Sequence, residues 1–450
     1  MWTGLRTSLD GAVALLARAV ARVFFRHVEV FDAERIPRGH PLVVVANHEN
    51  NLVDPLLLAG FLDVRPRFLA KSTLWSHPVV APLLLLAGAL PVHRRQDAGS
   101  DLSRNLDTFA RCHAELARGA AVALFPEGTS HNRPHRLPLK TGAARIALEA
   151  EVRHGPLGLR ILPVGLVYEE KGRFRSRVIV QVGPPIDPAT EAAAYVAAPG
   201  AAVRRLTERI AAALAEVTLN HASWEEARLI GRASALLTEA EPGRPPSFAE
   251  IWPVRQRVWR TYTELRRDEP ARASALARDL GRYEQALSAR GLTAEDALLL
   301  EGPAQGRSNE RRARAALALT APLALAGVVL NVVPYRVIDW IARHATHTPD
   351  QPATYKVLGA LIFFPLVWTA QAGLAGTLGG PAAAVTAAGA APLTGYVALR
   401  WIEQYRETRA RRRRQRLFSR GPALAALAEE RDRLRASMRE LLEAQRLPNA

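Results

Sequence analysis

An α/β domain followed by a largely helical remainder is the fold class the sequence predicts, and three observations predict it. Four short apolar runs rich in β-branched residues, Leu42 to Ala46, Ala121 to Phe125, Ile161 to Val167 and Val178 to Val182, are bounded by Pro or Gly. Continuous runs of this kind mark strands buried on both faces rather than strands with one wet face. Stretches with helical spacing, Leu102 to Leu116 and Gly142 to Glu151, lie between them. Beyond about residue 200 the chain turns to Ala, Leu, Arg and Glu with few strand signals, broken by prolines at 242–246 and by Pro270. The expected architecture is a mostly buried sheet flanked by helices over 31–190 and a helical region over 191–305. Apolar membrane helices over 306–405 and a basic helical tail over 406–450 complete it.

Residues 1–30 precede the first strand. Arg18, Arg22 and Arg26 interrupt their apolar run at four-residue spacing, on one helical face. Leu15, Leu16, Val20, Val23, Phe24 and Phe25 fill much of the rest. The assignment is a basic amphipathic helix lying in a membrane interface. A helix packed on the domain with its arginines in solvent fits the same pattern.

At the other end, residues 315–335 and 357–399 carry no charge, runs of 21 and 43 residues. About 20 apolar residues cross a bilayer core. The longer run suffices for two crossings, with Gly379, Gly380 and Pro381 as the turn, whereas a buried soluble helix pair is the alternative. Arg311, Arg312 and Arg314 precede the first run, and Arg406, Arg409, Arg411 to Arg414 and Arg416 follow the last. The preference of basic flanks for the cytoplasmic side places both clusters there. An even number of crossings follows. The first run, interrupted by Pro322, Asn331 and Pro334, is then re-entrant or interfacial, and the α/β domain is expected on the cytoplasmic face.

The chain carries 60 Lys and Arg against 43 Asp and Glu, a net charge of +17. Nucleic acid and anionic lipid are the partners such a charge attracts. The basic run at 406–416 abuts an apolar segment, which favours an anionic phospholipid membrane, and no nucleic-acid motif supports the other choice. Cys112 stands alone, which excludes an internal disulfide and a cysteine-built zinc site. Only four lysines occur, Lys71, Lys140, Lys171 and Lys356. The tail beyond 416 presents Leu424, Leu427, Leu434, Met438 and Leu441 on one face, for the soluble domain or for another chain.

Four stretches carry candidate chemistry. The first, at a strand end, is Asn47-His48-Glu49-Asn50-Asn51-Leu52-Val53-Asp54-Pro55. His48 is placed for general base work, and Asp54 for fixing its tautomer and stabilising the imidazolium. Asp before Pro is also a common helix N-cap. The second, Gly88 to Arg94, frames a turn from which Arg94 grips a phosphate or simply faces solvent. The third, Phe125-Pro126-Glu127-Gly128-Thr129-Ser130, places Glu127 near an acceptor hydroxyl, with Arg133 beyond it for a phosphate. The fourth, Ile161-Leu162-Pro163-Val164-Gly165, is structural or walls an acyl-binding surface.

In this order and spacing, across residues 41 to 187, the four stretches resemble the motif blocks of the glycerolipid acyltransferase superfamily, which includes glycerol-3-phosphate and lysophosphatidic acid acyltransferases. FPEGTSHNRPHRLPLKTGAARIAL at 125–148 and FRSRVIVQVGPPI at 174–186 are similar to the fungal glycerol-3-phosphate enzymes in particular. The resemblance implies acyl transfer from acyl-CoA or acyl-acyl carrier protein as co-substrate, with no cofactor or metal. It implies His48 as base, Asp54 as its orienting group, and Glu127, Gly128, Arg94, Arg133 and Lys140 around the acceptor. Two features depart from the common pattern. Five residues instead of four separate His48 from Asp54, and no Arg directly follows Gly128-Thr129, a place that Arg133 fills. His48 and Asp54 therefore share no face of one regular helix. His48 is expected in the turn before the helix, with Asp54 at its start and the two within hydrogen-bonding distance. A Ser130-dependent lipid hydrolase and an inactive membrane scaffold are the rivals, although no G-x-S-x-G elbow is present.

Overall fold

The computed structural model describes residues 2–78, 80–93, 103, 105–239, 246–292, 307–346, 348–418 and 422–444. The chain divides into two compact units, residues 1–220 with 342–357, and residues 221–341 with 358–450.

The first unit is built on a seven-stranded sheet. Its strands are β1 (His27–Phe31), β2 (Leu42–Ala46), β3 (Arg67–Lys71), β4 (Leu90–Val92), β5 (Ala121–Leu124), β6 (Arg160–Tyr168) and β7 (Arg177–Val182). Their order is β1-β7-β6-β2-β5-β3-β4. All pairings are parallel except β6 with β7, which is antiparallel. The four strands expected from the apolar runs occupy the centre. β1, β3 and β4 were not legible: β1 and β3 carry charged residues, and β4 is three residues long inside a stretch that reads as a turn.

Helices cover the sheet. They include α1 (Trp2–Phe24), α2 (Val53–Phe61), α3 (Val80–Leu86), α4 (Asn105–Ala117), α5 (Gly142–His154), α6 (Ala189–Tyr195) and α7 (Pro199–Val217). On α7, Val203, Leu206, Ile210, Leu214 and Val217 recur at helical spacing and join Ile146, Ala147, Val43, Val122 and Ile161 in one core. The compact sheet unit thus extends past residue 190 to Asn220. A Cβ on Gly165 of β6 would lie 2.0 Å from the Val217 carbonyl oxygen, so only glycine admits the end of α7 there. The break in the fourth motif is therefore structural.

Arg18 and Arg22 of α1 are exposed, yet both reach α2. Arg18 Nε donates to the Gly60 carbonyl at 2.7 Å, and Arg18 and Arg22 lie over the Phe61 ring of α2. Ala17, Ala21 and Phe24 are buried while Leu15, Leu16 and Val23 are exposed. The outward side of α1 is thus mixed, with Leu15, Leu16 and Val23 beside Arg18 and Arg22.

The second unit holds α8 (Trp224–Leu237), α9 (Phe248–Asp268) and α10 (Pro270–Ala289). The longer helices α11 (Arg307–His344) and α12 (Pro352–Phe418) contribute most of their length to it, and α13 (Pro422–Ala444) ends it. Ser223 caps α8 by accepting from the Glu226 N–H, and a Ser247–Glu250 capping box starts α9. The proline-rich break at 242–246 lies mostly outside the described residues. Leu427, Leu434 and Met438 of α13 pack with Ile230, Val258 and Leu280. Of the two fates open to the tail, this chain's own helical region is the partner found.

α11 and α12 are long and apolar enough to cross a membrane. Leu319, Leu325, Val329, Leu366, Leu374, Leu378 and Val385 are all exposed, an apolar surface far beyond that of scattered single residues. α12 turns at Gly380, whose φ of 78° and ψ of −174° interrupt the helix where the Gly-Gly-Pro sequence places the turn.

Candidate active site

The site forms at the carboxyl ends of β2 and β5, where a largely parallel sheet leaves a crevice. The backbone leaves β2 at Ala46, and the Asn47 side chain anchors the departing loop. Its Oδ1 accepts the Leu166 N–H at 2.7 Å and its Nδ2 donates to the Leu166 carbonyl at 2.9 Å. His48 follows, and its Nδ1 donates to Asp54 Oδ2 at 2.8 Å. His48 thus sits in the turn before α2 and Asp54 in its first turn. The imidazole stacks on Phe125, with centroids 4.1 Å apart. With Nδ1 donating, Nε2 is the nitrogen that holds the lone pair.

Asp54 is fully buried and does not cap its own helix, which starts at Val53 after Leu52. Its Oδ2 also accepts the N–H groups of Glu49 (2.9 Å) and Asn50 (2.8 Å), and its Oδ1 accepts from the Tyr168 hydroxyl. It organises the turn that carries His48. Burial, and next the Asp54 carboxylate, push the Tyr168 phenol well above its ordinary pKa, so it stays a donor.

Glu127 joins two loops. It is buried, and both oxygens are committed. Oε1 accepts the His48 N–H at 3.0 Å, while Oε2 accepts His131 Nε2 at 2.5 Å and the Leu137 N–H at 2.7 Å. The carboxylate ties the β5 turn to the β2 turn, and its side chain is shielded from solvent. Gly128 takes φ 75°, a left-handed turn that favours glycine, and Lys140 lies over it at 2.5 Å from where a Cβ would stand. Lys140 and Arg133 are exposed beside this turn. Arg94 lies outside the described residues.

Four residues at the site were not singled out by sequence: Asn47, Tyr168, Lys171 and Asp350. Lys171 Nζ donates to the His131 carbonyl at 3.3 Å, and Asn50 Nδ2 donates to the Lys171 carbonyl at 3.0 Å. Burial lowers the Lys171 pKa against the pull of Glu49, Asp54 and Asp350. Burial likewise pushes the Glu49 carboxyl up to about 7, opposed by Lys171 and reinforced by Asp54. The rarity of lysine was a usable signal: Lys140, Lys171 and Lys356 all lie in the first unit near these loops. Ser130 Oγ donates to Asp350 Oδ2 at 2.5 Å.

Residues 27–167 match the Acyltransferase family. The chain is 29% identical over 252 residues to an uncharacterized acyltransferase of Schizosaccharomyces pombe, covering 37% of each protein. It is 28% identical over 279 residues to glycerol-3-phosphate O-acyltransferase 1 of Saccharomyces cerevisiae, covering 58% of this chain and 36% of that one. It is 30% identical over 164 residues to 1-acyl-sn-glycerol-3-phosphate acyltransferase alpha of Ovis aries, covering 35% and 54%. The chain thus spans about a third to a half of the length of these relatives. The crystal structure of a 1-acyl-sn-glycerophosphate (LPA) acyltransferase, PlsC, from Thermotoga maritima aligns over 48% of this chain and 81% of that one, with 23% identity and a TM-score of 0.37.

Proposed function

Because residues 27–167 are a domain of the acyltransferase family, we propose that this chain transfers a fatty acyl group from an acyl thioester to a hydroxyl of glycerol 3-phosphate or its monoacyl form. The observation that carries the reading is the His48–Asp54 pair, 2.8 Å apart at the end of the central strand. His48 Nε2 takes the proton of the acceptor hydroxyl as its oxygen attacks the thioester carbonyl. The C–O bond forms, the C–S bond breaks, and the proton passes to the leaving thiolate. Asp54 holds the tautomer and stabilises the transient imidazolium. Lys140 and Arg133 are cations for the acceptor phosphate, with Arg94 as a third. Acyl-CoA or acyl-acyl carrier protein is the donor. The Ser130 hydrolase reading is disfavoured, because the serine hydroxyl donates its hydrogen bond to the Asp350 carboxylate and not to a histidine.

The assay is of the full chain in phospholipid vesicles, with glycerol 3-phosphate and lysophosphatidic acid each offered acyl-CoA and acyl-acyl carrier protein. One acceptor is expected to yield an acylated product. No product from any of the four pairings defeats the reading.

The chain is further proposed to sit in the membrane, catalytic domain on the cytoplasmic face. α12 forms a hairpin about Gly380, and Gly359 and Trp401 each lie 21 residues from that turn, toward its open end. Ile338 of α11 packs on Gly359, and Trp401 Nε1 donates to the Leu317 carbonyl at 2.8 Å. Between them Asn331 accepts from Trp368 Nε1 at 2.8 Å and donates to the Ala391 carbonyl at 3.2 Å, deeper in the hairpin. Both halves of α11 therefore meet the open end. This supports an α12 hairpin that crosses twice and an α11 that packs on it without a third full crossing, with both basic clusters on one side. A tag after residue 450 is expected to be protected from protease added outside intact cells stripped of their wall. Its digestion there overturns the topology.

A further inference from the structure

We propose that Asp350, in the connection between α11 and α12, is a positioning residue that holds the His48 loop in register through Asn51. The extra residue between His48 and Asp54 has to go somewhere, and the backbone places it at Asn51. Its φ of 41° makes it one of the few non-glycine residues in the left-handed region. That conformation costs about 1–2 kcal/mol for a residue with a Cβ and persists when its surroundings hold it. Asn51 lies midway between His48 and Asp54, so a change in its φ rotates one against the other.

What holds it comes from 299 residues away. Asn51 Nδ2 donates to Asp350 Oδ2 at 2.5 Å and approaches the Asp350 carbonyl at 3.2 Å. The same carboxylate oxygen accepts from Ser130 Oγ at 2.5 Å, which joins the β5 turn to the clamp. The next backbone N–H, of Leu52, donates to Thr354 Oγ1 at 3.2 Å. Lys356 Nζ donates to the Gly172 carbonyl at 2.9 Å, fastening the start of α12 to the turn after β6. Asp350 is buried. Burial pushes its carboxyl up, but the bonds from Ser130, Thr348 and Asn51 outweigh that and hold it below the ordinary range, so it remains an ionised acceptor. Residues 342–357 belong to the compact sheet unit although their neighbours on both sides do not.

The proposal rests on His48 and Asp54 being the working pair, and the test separates the two. Asp350→Ala, Asn51→Ala, their double variant, Thr354→Val and His48→Ala are compared in the full chain in vesicles, reading kcat, both KM values and the thermal midpoint. Asp350→Ala and Asn51→Ala are each expected to lower kcat by about 10- to 50-fold with KM within about threefold. The double variant should lose no more than either alone, as two residues on one path do. Asn51→Gly, free to take a positive φ, should recover part of the loss of Asn51→Ala. Wild-type kcat in Asp350→Ala, or additive losses in the double variant, overturns the clamp. Should Asp350→Ala fail to fold, Thr354→Val decides: kcat unchanged there counts against the clamp, and a loss of about fivefold or more at constant KM supports it. Full activity in His48→Ala instead refutes the base assignment, an outcome distinct from any of these.

Discussion

Replacing His48 with alanine is expected to lower kcat by about 1,000-fold or more while leaving the acceptor KM within about threefold. A positioned general base contributes about 100- to 10,000-fold, and a 1,000-fold loss corresponds to about 4 kcal/mol in the barrier. The fold should survive the change. Asp54 keeps its bonds from the Glu49 and Asn50 N–H groups and from Tyr168, so no buried charge is stranded. The main structural loss is the stacking of the imidazole on Phe125, which costs on the order of 1 kcal/mol. Loss of activity at a nearly unchanged thermal midpoint is therefore a chemical effect. The measurement is steady-state kinetics of the purified variant beside its melting curve. Retention of activity within tenfold of wild type would remove His48 from the mechanism.

Much of this site was legible in the sequence because it is built from local segments at strand ends. The β-branched run 42–46 predicts a buried strand, and β2 occupies those residues with every one buried. His48 follows such a strand directly, and the proline after Asp54 marks where a helix begins. The six-residue separation excluded a shared helix face, leaving the preceding turn as the place for His48, where it is found. What escaped depends on the third dimension. Tyr168 ends β6, and only the pairing of β6 beside β2 brings its hydroxyl to Asp54. Asp350 lies between two apolar helices, and no local spacing connects it to Asn51. Glu127 was legible in position, but its bonding partners were not. Its position one residue past Pro126 gives no hint that three donors on two loops converge on it. The edge strands β1 and β4, and β3 beside β4, were missed because short or partly charged segments carry little periodic signal.

Asp54 provides the second large effect, and its variants should separate by how much of its bonding they keep. Asp54→Asn preserves shape and one acceptor oxygen, so it can still receive the Glu49 and Asn50 N–H groups and His48 Nδ1–H. It loses the negative charge that stabilises the imidazolium formed as the hydroxyl is deprotonated. Its amide group also faces the Tyr168 hydroxyl, which must then accept instead of donate. The expected result is a loss in kcat of about 100- to 1,000-fold with KM little changed and the fold intact. Asp54→Ala goes further. It strands two backbone N–H groups, an imidazole N–H and a phenol around a fully buried position. Each unsatisfied donor costs about 1–3 kcal/mol, so this variant should be destabilised by about 4 kcal/mol or more as well as inactive. Tyr168→Phe removes one bond of the four and leaves the charge, and should cost kcat about tenfold or less. The order Tyr168→Phe above Asp54→Asn above Asp54→Ala, in both kcat and thermal midpoint, is what an orienting and charge-stabilising carboxylate requires. An Asp54→Asn variant with wild-type kcat would show that Asp54 shapes the loop but takes no electrostatic part in the proton transfer.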